Sequence, residues 1–339
     1  MNRAPLPSGA YFLDPADVVG FSSFAQGRGW LEPNEIVSSL QRAGEGNMNC
    51  TLRVRTNART FIAKQGRPWV EKYATIAAPW GRTEVEASFY ECTTSDTMLS
   101  QVTPRRIACD PGSQILLLED LGDASDCMDL YSGRTLADAE LGSLVSLLSR
   151  LHRLQVPRSR RPLLENRAMR ELNHEHIFRL PLARGNGIDL DAYTPGLAGV
   201  AACLMDDVRY RAEVERLGRI YLQDGPTLLH GDYYPGSWLR TPRGVCVIDP
   251  EFCFLGRAEF DVGVMFAHLL LADVPGEAAE RVFHMYQPSV GFDGALARRF
   301  AGAEIMRRIL GVARLPFAQD LQRLAALLTR SRALVCPSP

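Results

Sequence analysis

LLHGDYYPGSWLRTPRGVCVIDPE, residues 228–251, is the stretch that decides how this chain is read. Trp238-Leu239-Arg240 and Val245-Cys246-Val247-Ile248 are β-prone runs flanking Thr241-Pro242-Arg243-Gly244. That pattern predicts a hairpin with a four-residue turn. A hairpin folds its outer ends together. His230-Gly231-Asp232 and Ser237 stand at one end and Asp249-Pro250-Glu251 at the other. Asp232, Ser237, Asp249 and Glu251 are therefore expected to meet at one mouth.

Pro250 disfavours the α region at Asp249 and predicts extended chain there. Residues two apart in extended chain face the same side, so Asp249 and Glu251 both look into the mouth. Paired carboxylates are hard oxygen ligands suited to Mg²⁺. Ser237 adds a neutral oxygen for the metal or a phosphate. Asp232 is left for a separate task. Phosphoryl transfer to an alcohol needs a carboxylate that orients the hydroxyl and accepts its proton. Gly231 permits the backbone angles such a loop demands. His230 is expected to hold the loop by hydrogen bonds rather than to act as acid or base.

Working outward, the hairpin is an island in helical sequence. Leu136 to Leu154 carries a wide apolar face through Leu141, Leu144, Leu148 and Leu151, and Gly263 to Ala272 and Ala301 to Ala313 are further helices. The first third reads as strands plus one helix. Thr51 to Val54 and Thr60 to Ala63 flank a turn at Asn57-Ala58. Arg82 to Cys92 is helical through Val85, Phe89 and Cys92, and Ile115 to Leu118 is a buried strand. The fold class expected is α+β with two lobes: a small β-rich lobe over residues 1–120 and a larger, mainly helical lobe over 121–339.

Composition narrows the class. The 339 residues are 46% hydrophobic, enough for large cores, and the formal net charge is −1. No strong field points to nucleic acid or an anionic membrane. Lys64 and Lys72 are the only lysines, which singles each out where a compact ammonium is needed. Eight cysteines occur without a CxxC pair or zinc spacing and are read as reduced thiols. Met1 to Pro15 lacks an apolar signal segment, and Val262 to Ala272 is too short to span a bilayer. A cytoplasmic protein is expected. His174 and His176, two apart on a helix, diverge and are read as structural.

His-Gly-Asp-x-x-x-x-Ser (230–237), Ile-Asp-Pro-Glu-Phe (248–252) and Phe-Asp-Val-Gly (260–263) together resemble the aminoglycoside phosphotransferase and choline kinase superfamily, and within it the methylthioribose kinases. Gly-Glu-Gly-Asn-Met-Asn (44–49), Leu-Asn-His-Glu-His-Ile-Phe (172–178), Leu-Asp-Ala-Tyr-Thr-Pro-Gly-Leu (190–197) and Met-Arg-Arg-Ile-Leu-Gly (306–311) extend the likeness over about residues 40–315.

The resemblance implies a protein-kinase-like fold, ATP and Mg²⁺ between the lobes, and a small-molecule hydroxyl as acceptor. A second copy of the chain is the only protein partner allowed for. It implies that Gly44, Gly46, Asn47 and Asn49 form the phosphate loop and that Lys64 holds ATP phosphates. Glu86 would pair with that lysine, with Glu84 as the competitor. Glu119, Asp120 and Leu121 would form the adenine-binding hinge. Arg307, Arg308 and Trp80 resemble acceptor-binding residues; adjacent helical residues point about 100° apart, so one arginine is expected to reach the cleft. Asp261 and Gly263 are expected to brace the metal loop. Tyr233-Tyr234-Pro235 stands where methylthioribose kinases carry Leu-His-Thr, placing Tyr233 and Tyr234 in the acceptor pocket. The acceptor is thus a sugar, nucleoside or related alcohol. An antibiotic-inactivating phosphotransferase and a non-catalytic nucleotide-binding regulator are the alternatives.

Overall fold

The computed structural model describes residues 7–44, 48–288, 291–316 and 320–337. One antiparallel sheet of five strands dominates the N-terminal part. Its order is Val37–Arg42, Cys50–Thr56, Thr60–Gln65, Ile115–Glu119, Arg106–Asp110. The expected turn at Asn57-Ala58 closes with the Thr56 N–H donating to the Arg59 carbonyl at 2.9 Å.

Within the strand Ile115–Glu119, the run Ile115 to Leu118 is apolar at every position because both faces are buried. Alternate residues serve opposite faces. Ile115 and Leu117 pack with Leu13, Phe21, Val54 and Phe61 in a small core. Leu116 and Leu118 pack with Val85 and Phe89 of the helix Arg82–Thr93 in the main core. That helix therefore belongs by packing to both halves of the molecule.

Two further helices, Val18–Gly27 and Thr97–Val102, stand where only one helix was expected in the first third. Both rely on caps. Asp17 accepts the Gly20 N–H at 2.8 Å, and Asp96 accepts the Met98 and Leu99 N–H groups at 2.9 and 3.0 Å. Glycine and serines within the first helix blur its apolar stripe.

Helices make up most of the remainder, chiefly Asp138–Leu151, Val208–Tyr221, Glu259–Leu271, Gly294–Leu310 and Leu321–Val335. Glu259–Leu271 is buried along its whole length, as its nearly unbroken apolar sequence requires. Gly263 brings it against Gly294–Leu310: a Cβ there would lie 2.5 Å from the Ala297 carbonyl oxygen. Gly263 thus serves helix packing, not the metal loop.

The hairpin forms from Trp238–Thr241 and Gly244–Val247. Its pairing runs from Trp238–Val247 to Thr241–Gly244, so the turn is Pro242-Arg243, two residues rather than four. Gly244 at φ 109° lets the ladder continue that far. A second ribbon, Thr227–Leu229 with Phe254–Gly256, closes behind it. The segments holding Asp232 and Asp249 are pinned between the two ribbons. Among the described residues no helix is long and apolar enough to cross a membrane.

Candidate active site

Asp261, on the buried helix Glu259–Leu271, holds the loop that carries Asp232. Its carboxylate accepts the backbone N–H groups of His230 at 2.6 Å and Gly231 at 3.0 Å. His152 approaches the same carboxylate at 3.2 Å through Nε2. Asp261 therefore braces the Asp232 loop rather than the metal loop. Gly231 sits at φ 85°, and a Cβ there would lie 2.0 Å from the Phe252 carbonyl oxygen. Only glycine fits. His230 is fully buried and its Nε2 meets the Ile248 carbonyl at 2.9 Å, tying the two ends of the hairpin together. Burial pushes its pKa down.

Around Asp232 the structure separates residues that the sequence grouped. Tyr233 is wholly buried, with its hydroxyl donating to the Leu144 carbonyl at 2.9 Å. An acceptor-binding role for Tyr233 does not fit that placement, because neighbours in extended chain face opposite sides. Tyr234 points the other way, its ring 4.7 Å below the Arg308 guanidinium. Ser237 is buried and donates to the Asp232 carbonyl at 3.1 Å. It ties the loop together, and its oxygen keeps the lone pairs that the expected metal contact would use.

Both arginines reach Asp232, where one was expected. Arg307 and Arg308 each donate through Nη2 to Asp232 Oδ1, at 3.1 and 3.0 Å. Their length overrides the angular offset of their Cα atoms, because Glu304 gathers both Nε groups, at 2.6 and 2.7 Å. Glu304 was not singled out in sequence. Its spacing to the arginines, i to i+3 and i+4, was the available signal.

Across the mouth, Lys64 is buried between two carboxylates, 2.9 Å from Glu86 and 2.8 Å from Asp249. Glu84, the competitor, instead accepts from Gln114 at 3.1 Å. Glu251 takes the side-chain N–H of Asn49 at 2.5 Å and lies 4.0 Å from Arg82. Arg82 also donates to the Asn49 side chain at 2.9 Å and to the Met48 carbonyl at 3.1 Å. This buried arginine, missed in sequence, wires Met48 and Asn49 to Glu251. The clue was a cation as the first residue of a helix, against the helix dipole. Gly44 opens that loop at φ 73°, whereas Gly46 and Asn47 lie outside the described residues.

Asp249 is not extended. It sits at φ 61°, ψ 49°, with Pro250–Phe252 forming one 3₁₀ turn. Proline disfavours the right-handed region at the preceding residue, and aspartate tolerates the left-handed one. The bend aims Asp249 at Lys64 while the turn carries Glu251 to Asn49. Two cations, Lys64 and Arg82, face three carboxylates, Glu86, Asp249 and Glu251. Burial first, then the neighbouring Asp249 and Glu251, push Glu86 up to about 7 against the pull of Lys64. Burial likewise raises Glu251.

With all three carboxylates ionised the cluster carries one excess negative charge, which suits a divalent cation. Among the described residues no three His, Cys, Asp or Glu side chains cluster as a metal site. Mg²⁺ beside phosphates commonly takes one or two carboxylates and completes its shell from phosphate and water. Asp249, with its side chain 47% exposed, and Glu251 fit that smaller demand.

In the segment expected to form the hinge, Asp120 is held by Arg53 at 2.9 Å and accepts the Gly122 N–H at 3.1 Å. Glu119 accepts from Arg243 at 3.0 Å, and its N–H donates to the Arg105 carbonyl. Their side chains are structural, and Leu121 follows half-buried. Trp80 is half-buried just ahead of the helix Arg82–Thr93. His174 ends a helix and His176 lies in a π-turn, Glu175–Arg179.

Against known proteins, the model of the phosphotransferase enzyme family matches residues 39–300. The chain belongs to that family. The phosphotransferase is 28% identical to methylthioribose kinase of Exiguobacterium sibiricum over 267 residues, covering 71% of this chain and 63% of the relative, which is less than two thirds of that relative's length. It is 27% identical to methylthioribose kinase of Klebsiella pneumoniae subsp. pneumoniae over 330 residues, covering 90% and 74%. Choline kinase LicA of Streptococcus pneumoniae shares its fold at TM-score 0.55 and 13% identity, over 93% of this chain and 98% of that one. Spectinomycin phosphotransferase APH(9)-Ia does so at 0.54 and 12%, over 88% and 93%. The family read from the motifs and the protein-kinase-like α+β fold are both met.

Proposed function

We propose that this phosphotransferase is a cytoplasmic kinase that moves the γ-phosphate of ATP to a hydroxyl of a neutral sugar-like molecule, of which methylthioribose is the first to try. The observation that carries the reading is Lys64. It joins Glu86 on the N-terminal helix to Asp249 beside the hairpin, at 2.9 and 2.8 Å. A lysine so placed offers its charge to phosphates at the point where the two halves of the chain meet. The loop from Gly44 to Asn49 covers the phosphates, and the backbone of Glu119 to Leu121 receives adenine.

Asp232 orients the acceptor hydroxyl and takes its proton on Oδ2, since Oδ1 is occupied by both arginines. Asp249 and Glu251 hold Mg²⁺, which when bound neutralises charge on the phosphates. Tyr234, Arg307 and Arg308 line the acceptor side. The relatives named methylthioribose kinase support a sugar. So does the charge balance: Arg307 and Arg308 against Asp232 and Glu304 leave no excess negative charge to attract a polycationic antibiotic.

The test is ADP release with Mg·ATP against methylthioribose, ribose, nucleosides, spectinomycin and aminoglycosides. Turnover on a neutral sugar is expected. Turnover confined to the antibiotics, or ATP binding without transfer to any acceptor, removes the reading.

A further inference from the structure

A buried chain of polar groups stands behind Asp232. Glu304 is 1% exposed, His268 not at all, Tyr131 5%. The Tyr131 hydroxyl meets His268 Nδ1 at 2.5 Å, and His268 Nε2 meets Glu304 Oε1 at 2.9 Å. Glu304 accepts from Arg308 Nε through Oε1 and from Arg307 Nε through Oε2. Each arginine is thus fixed by its inner nitrogen, and each presents Nη2 to the same Asp232 oxygen. Tyr234 packs beneath, against both Arg308 and the His268 ring.

The proton positions follow from the acceptors. A carboxylate only accepts, so His268 carries its proton on Nε2 and Tyr131 donates to Nδ1. Burial opposes charge on Glu304, but Arg307, Arg308 and His268 hold it well below the usual carboxylate range. The anchor is ionised.

Resting on the kinase reading above, we infer that Glu304 is a positioning residue of the transfer reaction. It clamps both guanidiniums by Nε, aims them at one oxygen of Asp232 and so leaves the other oxygen to the acceptor hydroxyl. Two arginines without this anchor would each sample other rotamers, and the base would lose its fixed direction. Misplacement of a reacting group by about 1 Å costs up to roughly 100-fold in rate.

The variant is Glu304→Gln, whose amide cannot accept from both arginines and His268 together. With Mg·ATP and methylthioribose as probes, kcat falls roughly 10- to 100-fold while KM for Mg·ATP stays within about threefold. A kcat within about twofold of the parent overturns the proposal. A second measurement needs neither that variant nor the right acceptor. In ¹H–¹⁵N spectra, the Nε–H signals of Arg307 and Arg308, assigned with Arg307→Lys and Arg308→Lys, exchange slowly and persist in Asp232→Asn. Loss of both signals in Asp232→Asn means that Asp232 holds the arginines, and the proposal falls. A parent enzyme that transfers nothing to methylthioribose counts against the acceptor reading; the spectra still decide the clamp.

Discussion

Lys64 Nζ lies 2.8 Å from Asp249 Oδ1, an ion pair between residues 185 apart in sequence. It fastens a strand of the N-terminal sheet to the turn that follows the hairpin of Trp238–Thr241 and Gly244–Val247. Both partners bear the charges that phosphate and a divalent cation seek, which is why the proposed nucleotide site is placed here.

Replacing Lys64 with Met leaves Glu86, Asp249 and Glu251 facing one another without their shared cation. Mg·ATP affinity should fall at least about 10-fold, read by titration calorimetry. Buried Glu86 should protonate to escape the repulsion, so the variant should release more protons than the parent on unfolding at pH 7. Unchanged affinity would take Lys64 out of the nucleotide site.

Gly231→Ala places a methyl 2.0 Å from the Phe252 carbonyl oxygen at a backbone angle of φ 85°. The chain must shift to admit it. A loss of about 2–4 kcal/mol in unfolding free energy is expected from urea denaturation. A loss below about 1 kcal/mol would show that the loop has room which the packing denies.

His268 gives the protein an acid limit. Burial depresses its pKa from 6.5 to about 4, with Arg308 adding to the effect and Glu304 opposing it. Between those values the unfolded chain binds a proton that the folded chain refuses, so stability declines as pH falls from 6.5 towards 4. The decline is on the order of 3 kcal/mol. His268→Gln should flatten the dependence of the urea midpoint over this window. An equal slope in variant and parent would remove His268 as its cause.

Much of the site was legible in sequence because local chemistry dictated it. Two β-prone runs separated by a turn brought Asp232 and Asp249 to one mouth, and the lysine at the end of the strand Thr60–Gln65 met Glu86 on the next helix. Harder to read were choices made by long-range packing. Proline at 250 excluded one conformation of Asp249 without selecting the extended alternative, and the left-handed bend won because it lets Asp249 reach Lys64. Adjacent Tyr233 and Tyr234 look alike as letters, yet one fills the core against Leu144 and the other packs under Arg308 beside Asp232. Arginine length defeated the simple angular argument for Arg307 and Arg308. Arg82 and Glu304 escaped notice because their importance lies in partners distant along the chain or gathered only by side-chain reach.

The measurement that bears most directly on the account is single-turnover transfer by Asp232→Asn, an isosteric change that removes the proton acceptor. Mg·ATP should bind as in the parent, while the transfer rate falls by roughly 10²-fold or more. Transfer at close to the parental rate would contradict the assignment of Asp232 as the base.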